Sequence, residues 1–444
     1  MAITSIVLNE KYSDKQAMME ALAKKNFNAE KALSSCGSQL ISGVNPMIFS
    51  LIDPKIKEGE SLSFEESFYG MLLAVAATNN PIRQKLFPKM SLSDAIAKGV
   101  GFLTSMAIKE AIFELTPEEI AGMSAAGMTD VVFRPYLPKV VETCGMGGDR
   151  GWGTKEIKTI NASTLSAFIL ASLEIPTFKH GSYGNTSKIG STDIPVNFGA
   201  KICQHTAEEI LKIFKETHFW FSDAHSVKTI HYLSHCLMVE TVNHIVGPMT
   251  IPISRKTKLF KVMGVNHNVS PEAIARAYTI LHQKGFVNLG GIIVVAGLDE
   301  VPEEKEYLNP QWTKKHLFLD EVSPRATLVS LAKGKDFLGN FLLTDENFGD
   351  GPILEETLKI KNAAQPLMQA DEIAIRGKNE NLSRYLARNA ALGLLLHNGL
   401  DNSNPFALLP CCFRLCLETI SSGRAFETLK DYVSASGGNF RSWL

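Results

Sequence analysis

Four short apolar runs, each closed by a glycine-containing turn, constrain this chain most. They are "KVVETCG", "IPTFKHG", "KLFKVMGV" and "GGIIVVAG". Most are followed by a segment with apolar residues at helical spacing. Strand, glycine loop and helix in alternation build a sheet that is mostly parallel, with loops at the carboxyl ends of its strands free to hold ligands. The predicted fold is therefore α/β. Residues 61 to 130 read instead as helices, in "SFEESFYGMLLAVAATNN" and "LSDAIAKGVGFLTSMAIKEAIF". The helix signals there are specific: in "TPEEIAGM" Thr116 is the expected N-cap, Pro117 opens the first turn and Glu119 closes a capping box. "HTAEEILKIF" repeats the device with Thr206 and Glu209, and "SPEAIARAYTILHQKG" starts at Ser270 and stops at Gly285. From about 353 to 440 the chain returns to helix.

The expected architecture is a small helical N-terminal domain, 61–130, joined by helices from about 205–240, and a larger α/β domain, 136–444, whose central sheet is flanked by helices. Residues 1–60 form an N-terminal extension without assignable chemistry. At 444 residues and 45% hydrophobic content the chain has ample material for such a core. Its 45 basic and 46 acidic residues leave a net charge of −1, which weighs against a nucleic-acid or anionic-membrane surface. No apolar run approaches the roughly 18–20 residues that span a bilayer. The N-terminus lacks a basic stretch followed by an apolar core, so no signal peptide is expected. Seven cysteines without a CxxC pair argue against a disulfide framework or a zinc site and fit a cytoplasmic protein.

Four segments carry candidate chemistry. "ETCGMGGDRGWG" places Gly145, Gly147, Gly148 and Asp149 directly after a strand. Successive backbone N–H groups in such a turn can cradle an anion, although a plain surface turn has the same composition. "TINASTLSAF" puts Asn161, Ser163 and Thr164 at the mouth of an apolar helix, as simple N-caps or as a phosphate site. "FKHGSYGNTSKIGSTD" leaves a strand through Lys179 and His180 into a loop of glycines, hydroxyls and a second lysine, suited to a polyanion. "LDEV" occurs twice, as Asp299-Glu300 and Asp320-Glu321. Adjacent carboxylates suit Mg²⁺, which is held by one or two carboxylates plus substrate phosphate oxygens. No GxxxxGK[ST] or GxGxxG motif is present. Several anion loops at sheet ends with an acidic pair point to a multiply phosphorylated substrate bridged by metal.

In their order, "GMGGD", "NAST", "KHG…GSTD", "NHIVGPMTIP" and "DEVSP" resemble the GTGGD, N-[IV]-S-T, KHGN…GSAD, NILGPLTNP and DE-[IV]-S motifs of the anthranilate phosphoribosyltransferases, in a likeness running from roughly residue 90 to 437. The resemblance implies Mg²⁺-dependent transfer of a phosphoribosyl group from phosphoribosyl pyrophosphate to an aromatic or heteroaromatic acceptor, by a pentosyltransferase that is dimeric through its helical part. It implies that Gly145, Gly147, Gly148 and Asp149 hold the pyrophosphate. Asn161, Ser163 and Thr164 would serve the phosphates, with Lys179 and Thr186 as further contacts. His180, Gly181, Ser182, Gly247 and Pro248 would complete the substrate site. Asp320 and Glu321, with Ser163, would hold Mg²⁺, and Lys179, Asp320 and Glu321 would carry the catalysis. Asp320-Glu321 is the pair chosen, because "DEVSPRATLVSL" has the family's continuation and "DEVPEEKEYL" does not; residues 298–318 then read as an insertion.

The departures lie on the acceptor side. Counting back from Pro248, the family's carboxylate-binding arginine falls on Ser234, and the residues after KHG are Ser182 and Tyr183. One serine hydroxyl does not replace a bidentate clamp, so an acceptor other than anthranilate is expected. Arg255 and Arg276 are candidate replacements for that clamp, and His225, His231 and His235 cluster near the same side. The loop from Asp149 to Asn161 is longer than the family's and contains Trp152. Two rivals are a nucleoside phosphorylase of the same superfamily, which needs no acidic metal pair, and a non-catalytic paralogue that binds nucleic acid.

Overall fold

The computed structural model describes residues 28–444 except 35, 132–134, 185–186, 203–204, 225–229, 231–232, 234–236, 238–240, 304 and 401–402. Thr186, Ser234, His225, His231 and His235 lie outside the described residues. The chain divides into two compact units, 1–134 with 223–253 and 135–222 with 254–444.

The first unit is helical. Its main helices are Ile48–Lys57, Phe64–Thr78, Leu92–Phe113, Pro117–Gly127 and Asn243–Met249. Ser63 with Glu66, and Thr116 with Glu119, form reciprocal capping boxes, the second as the sequence predicts. Phe68, Leu72, Phe102, Met106, Ile120 and Met123 build its core. Lys109 and Glu119 form an ion pair inside it, with Lys109 also donating to the Glu60 carbonyl (2.5 Å) and Glu119 accepting from Leu62 N–H (2.8 Å). The helical region begins before residue 61, since Ile48, Ile52 and Ile56 are buried. The expected return at 205–240 also shifts. The helix Ala207–Thr217, capped by Thr206 and Glu209, belongs to the larger unit, and the segment that rejoins the helical unit is 223–253.

The second unit is built on an eight-stranded sheet. Its strands are β1 (Lys139–Cys144), β3 (Thr177–Gly181), β4 (Phe219–Asp223), β5 (Lys258–Gly264), β6 (Asn288–Leu298), β7 (Leu317–Leu319), β8 (Ala326–Lys333) and β9 (Asp336–Leu343). The order is β4-β3-β1-β5-β6-β8-β9, with β7 also on β6. Strands β3, β1, β5 and β6 are parallel neighbours, and β7, β8 and β9 add an antiparallel edge. A separate ladder pairs β2 (Ile157–Lys158) with β10 (Ile360–Lys361). Ser270 stands at the start of the helix Pro271–Gln283, but its side chain makes no capping bond.

Alternation along the parallel strands sorts their side chains to two faces. Val141 and Thr143 face the helix Ala162–Ser172, where Thr143 Oγ1 donates to the Ser163 carbonyl (2.6 Å). Glu142 and Lys261 face the other way, toward Tyr278 on the helix Pro271–Gln283. The helices Glu380–Asn398 and Arg424–Ala435 join Ala162–Ser172 in one apolar core. The parallel strands end in glycine-bearing loops, which is where ligands meet sheets of this kind.

Candidate active site

The loop after β1 is shaped by two glycines with positive φ, Gly147 (73°) and Gly148 (69°). A residue with a Cβ takes that conformation only with strain. Gly145 is required for a different reason: a Cβ there would strike the Asp320 carboxylate. A Cβ on Gly264 at the end of β5 would meet the Asp320 backbone. Two strand ends are thus kept bare so that residues 320 and 321 can sit against the glycine loop. Asp320 Oδ2 accepts from Gly147 N–H at 2.7 Å, and Asn266 Nδ2 donates to the Gly147 carbonyl at 3.1 Å. Thr159 Oγ1 donates to Glu321 Oε1.

Both acids are held above the ordinary carboxylate range. Burial is the first cause for each; the charge of Asp149 adds to it at Asp320, and that of Asp320 at Glu321. Such a pair gains from a cation. Asp299, half-buried, and Glu300, exposed, instead face His316, with 2.8 Å from Asp299 Oδ1 to His316 Nδ1. His316 ends the helix Pro310–His316 within the 298–318 segment, so the first "LDEV", at Asp299-Glu300, serves that local structure.

Lys179 lies on the helix-facing side of β3, 1% exposed. Its Nζ donates to the Thr143 carbonyl (2.8 Å) and to Ser163 Oγ (2.9 Å). Burial lowers it to about 8. Ser163, expected with the acids at the metal, has its hydroxyl engaged by Lys179. Asn161 stands at the N-cap of Ala162–Ser172 without a side-chain capping bond, so the plain N-cap alternative is not what this turn displays. Its backbone N–H is taken by Asp371 Oδ1 at 2.7 Å. Thr164 is fully buried and its hydroxyl has no hydrogen-bond partner.

His180 points to the opposite face of the sheet, where its Nδ1 meets Glu142 Oε1. Lys261 Nζ lies 2.5 Å from the other oxygen, Glu142 Oε2. Burial opposes ionisation of Glu142, but Lys261 and His180 outweigh it and hold the carboxyl well below its usual range. Gly181 packs on Ser191, and the Ser182 carbonyl accepts from Thr192 N–H (3.0 Å). Asp193 closes the loop by accepting from Gly184 and Gly190 N–H at 2.8 and 2.9 Å. Gly247 and Pro248 belong to the helical unit, on Asn243–Met249.

The two arginines considered for the acceptor are engaged elsewhere. Arg276 pairs with Glu272 and stacks on Phe337, and Arg255 stacks on Phe286. Cys144 is buried, which raises its thiol and makes it structural. Residues the sequence did not single out are Glu142, Lys158, Thr159, Lys261, Asn266 and Asp371. The signal available for Lys158 and Thr159 was their place between Asp149 and Asn161, two candidate site residues; for Asp371 there was none.

The family described as "Glycosyl transferase family, a/b domain" matches residues 137–306. An anthranilate phosphoribosyltransferase of Pyrococcus abyssi is 29% identical over 348 residues, covering 77% of this chain and 88% of that protein. The enzyme of the same name from Methanococcus vannielii is 32% identical over 265 residues, covering 59% of this chain and 69% of that protein. Among solved structures, the anthranilate phosphoribosyltransferase of Saccharomyces cerevisiae, in complex with PRPP and Mg, superposes with a TM-score of 0.64 at 20% identity, covering 88% of this chain and 98% of that one. That from Thermus thermophilus gives 0.63 at 22% identity, covering 87% and 99%. With the glycine loop, the Lys179–Ser163 contact and the Asp320-Glu321 pair at one sheet end, these likenesses place the chain in the anthranilate phosphoribosyltransferase family, a family of pentosyltransferases.

Proposed function

We propose that the chain transfers a phosphoribosyl group from phosphoribosyl pyrophosphate to an aromatic acceptor in a Mg²⁺-dependent reaction. One observation carries this reading: Gly147 N–H holds Asp320, so the anion-binding loop and the acidic pair form a single structure. The donor set suits Mg²⁺, since Asp320 and Glu321 offer hard carboxylate oxygens and both lack sufficient counter-charge. When bound, Mg²⁺ supplies positive charge to the pyrophosphate oxygens. The chain's own part is to bind and orient. Backbone N–H groups of the loop at 145–149 other than that of Gly147, which Asp320 occupies, would with the Lys179 ammonium stabilise charge that develops on the leaving pyrophosphate. Thr143 and Ser163 fix the direction of that ammonium, and Glu142 fixes the His180 ring.

Anthranilate is the acceptor in the names of the relatives, and its exclusion, expected from Ser182, Tyr183 and Ser234, finds no support among them. The acceptor is therefore proposed as an aromatic amine, with anthranilate the first compound to try. The acidic pair disfavours the phosphorylase alternative. Self-association through the helical unit belongs to the same proposal; Met47, Leu51, Ile108, Ile112 and Phe113 are exposed apolar residues there. Isothermal titration with phosphoribosyl pyrophosphate, with Mg²⁺ and with chelator, tests the donor half. Binding that requires Mg²⁺ is expected; absence of any magnesium-dependent binding overturns the reading.

A further inference from the structure

The lengthened loop between Asp149 and Asn161 carries a cation to the donor site. Lys158 Nζ lies 2.8 Å from Asp149 Oδ1, and the two side chains are 14% and 10% exposed. Both ends of the loop are fixed. Lys158 is held in β2, opposite Ile360 of β10. Just beyond that ladder, Asn362 N–H donates to the Glu156 carbonyl (2.6 Å) and its Nδ2 to the Lys155 carbonyl (2.8 Å). At the other end, Arg150 donates to the Lys315 carbonyl and Gly151 N–H to the Phe318 carbonyl, both at 2.7 Å. Trp152 packs edge-on against Phe318, with ring centroids 5.4 Å apart. The segment 298–318 thus anchors the loop that carries Lys158.

Three carboxylates, Asp149, Asp320 and Glu321, act on one another in this corner, and the Lys158 charge also reaches Asp320. Yet among the described residues no three Asp, Glu, His or Cys side chains are grouped to hold a metal ion. Lys158 engages Asp149 in a charge-assisted hydrogen bond, so that of the three carboxylates Asp149 is the one with a cation of its own.

We propose that Lys158 is a built-in counter-cation of the donor site. Paired with Asp149, it confines a divalent ion to Asp320 and Glu321 and keeps that ion weakly bound until a polyanion arrives; it then exchanges Asp149 for a pyrophosphate oxygen. Lys158 is in this sense a specificity-determining residue, and its assignment rests on the function proposed above. Affinity of an oxygen-ligand site for divalent cations rises with the number of carboxylates. Replacing Lys158 with an uncharged side chain frees a third one, so the variant should hold metal more tightly and pyrophosphate less tightly.

The experiment uses the full chain and two probes, Mn²⁺ alone, followed by electron paramagnetic resonance, and inorganic pyrophosphate without metal, followed by titration calorimetry. Lys158→Met should bind Mn²⁺ about ten-fold more tightly and pyrophosphate about ten-fold more weakly. Lys158→Arg should stay near wild type, and Lys158→Met combined with Asp149→Asn should return Mn²⁺ affinity to the wild-type value. Damage to folding lowers metal affinity, so the expected gain separates the two causes. Unchanged or weaker Mn²⁺ binding by Lys158→Met, with wild-type binding still sensitive to Asp320→Asn, overturns this inference alone. Wild-type Mn²⁺ binding that ignores Asp320→Asn with Glu321→Gln overturns the functional reading beneath it.

Discussion

Replacing Asp371 by asparagine should remove a defined pH dependence from the stability of the α/β unit. Asp371 is 1% exposed; one oxygen accepts from Asn161 N–H, and the other has no hydrogen-bond partner. Burial raises its carboxyl from 3.8 to about 7. Above pH 7 the acid is ionised in folded and unfolded chains alike, and the folded chain bears the whole cost of an ill-solvated carboxylate. Below 3.8 both are neutral and the cost vanishes. Between the two values the folded chain binds a proton that the unfolded chain does not, so stability falls as pH rises. Some three pH units at about 1.36 kcal/mol each give a full cost of about 4 kcal/mol. Roughly 2–3 kcal/mol of it is expressed between about pH 5 and pH 8.5. Asparagine keeps the shape and the acceptor for Asn161 but does not titrate; its unpaired amide costs about 1–3 kcal/mol at every pH. The difference in unfolding free energy between wild type and Asp371→Asn, measured by urea denaturation at fixed ionic strength, should therefore shift by roughly 2–3 kcal/mol across that range in favour of the variant. Other titrating groups cancel in the difference. A difference that stays constant with pH refutes the assignment of a buried, poorly partnered carboxyl.

Gly145→Ala should weaken binding of phosphoribosyl pyrophosphate by about ten-fold or more, because the added methyl displaces Asp320 from the loop; calorimetric titration reads the loss, and wild-type affinity contradicts the packing. Asp320→Asn with Glu321→Gln should abolish magnesium-dependent donor binding, whereas Asp299→Asn with Glu300→Gln should leave it within about two-fold, since the latter pair faces His316. Metal-free pyrophosphate affinity should fall as pH rises past about 8, where the buried Lys179 ammonium loses its proton, and Lys179→Arg should flatten that decline. Glu119→Gln should destabilise the helical unit by about 3–5 kcal/mol, because it strands Lys109 inside the core; thermal unfolding that matches wild type argues against a buried pair.

Local signals were the ones legible before the structure. Thr116 with Glu119 and Thr206 with Glu209 needed only a four-residue window, and each forms the reciprocal cap expected. The strand before Gly145 and the helix after Asn161 were readable from hydrophobic period and turn residues. Choosing between two identical "LDEV" segments depended on the residues that follow them, and the structure sets one against Gly147 and the other against His316. What escaped is non-local. Asp371 meets Asn161 across 210 positions and Lys261 meets Glu142 across 119, and a single charged residue in an apolar element has no period to reveal its partner. The return to the helical unit was misplaced for a related reason. Helix Ala207–Thr217 looks like any amphipathic helix in sequence, and only tertiary contacts assign it to a unit.

The charges inside the sheet have a role that burial energetics alone does not supply. Replacing a buried ion pair by apolar residues of similar volume is often neutral or stabilising, so Glu142 and Lys261 are not explained by stability. Their placement is informative: Glu142 sits on β1, Lys261 is its register partner on β5, and His180 is on β3. One carboxylate thus ties three neighbouring strands just before their loops begin. A one-residue slip of β5 or β3 would carry Lys261 or His180 to the other face and leave one oxygen of the buried Glu142 carboxylate without its partner, at a cost of about 1–3 kcal/mol. The same register holds Lys179 toward Thr143 and Ser163 on the opposite face. Fixing the strands by charge therefore fixes where the Lys179 ammonium meets Thr143 and Ser163, and the polar layer supplies positional accuracy at the proposed donor site.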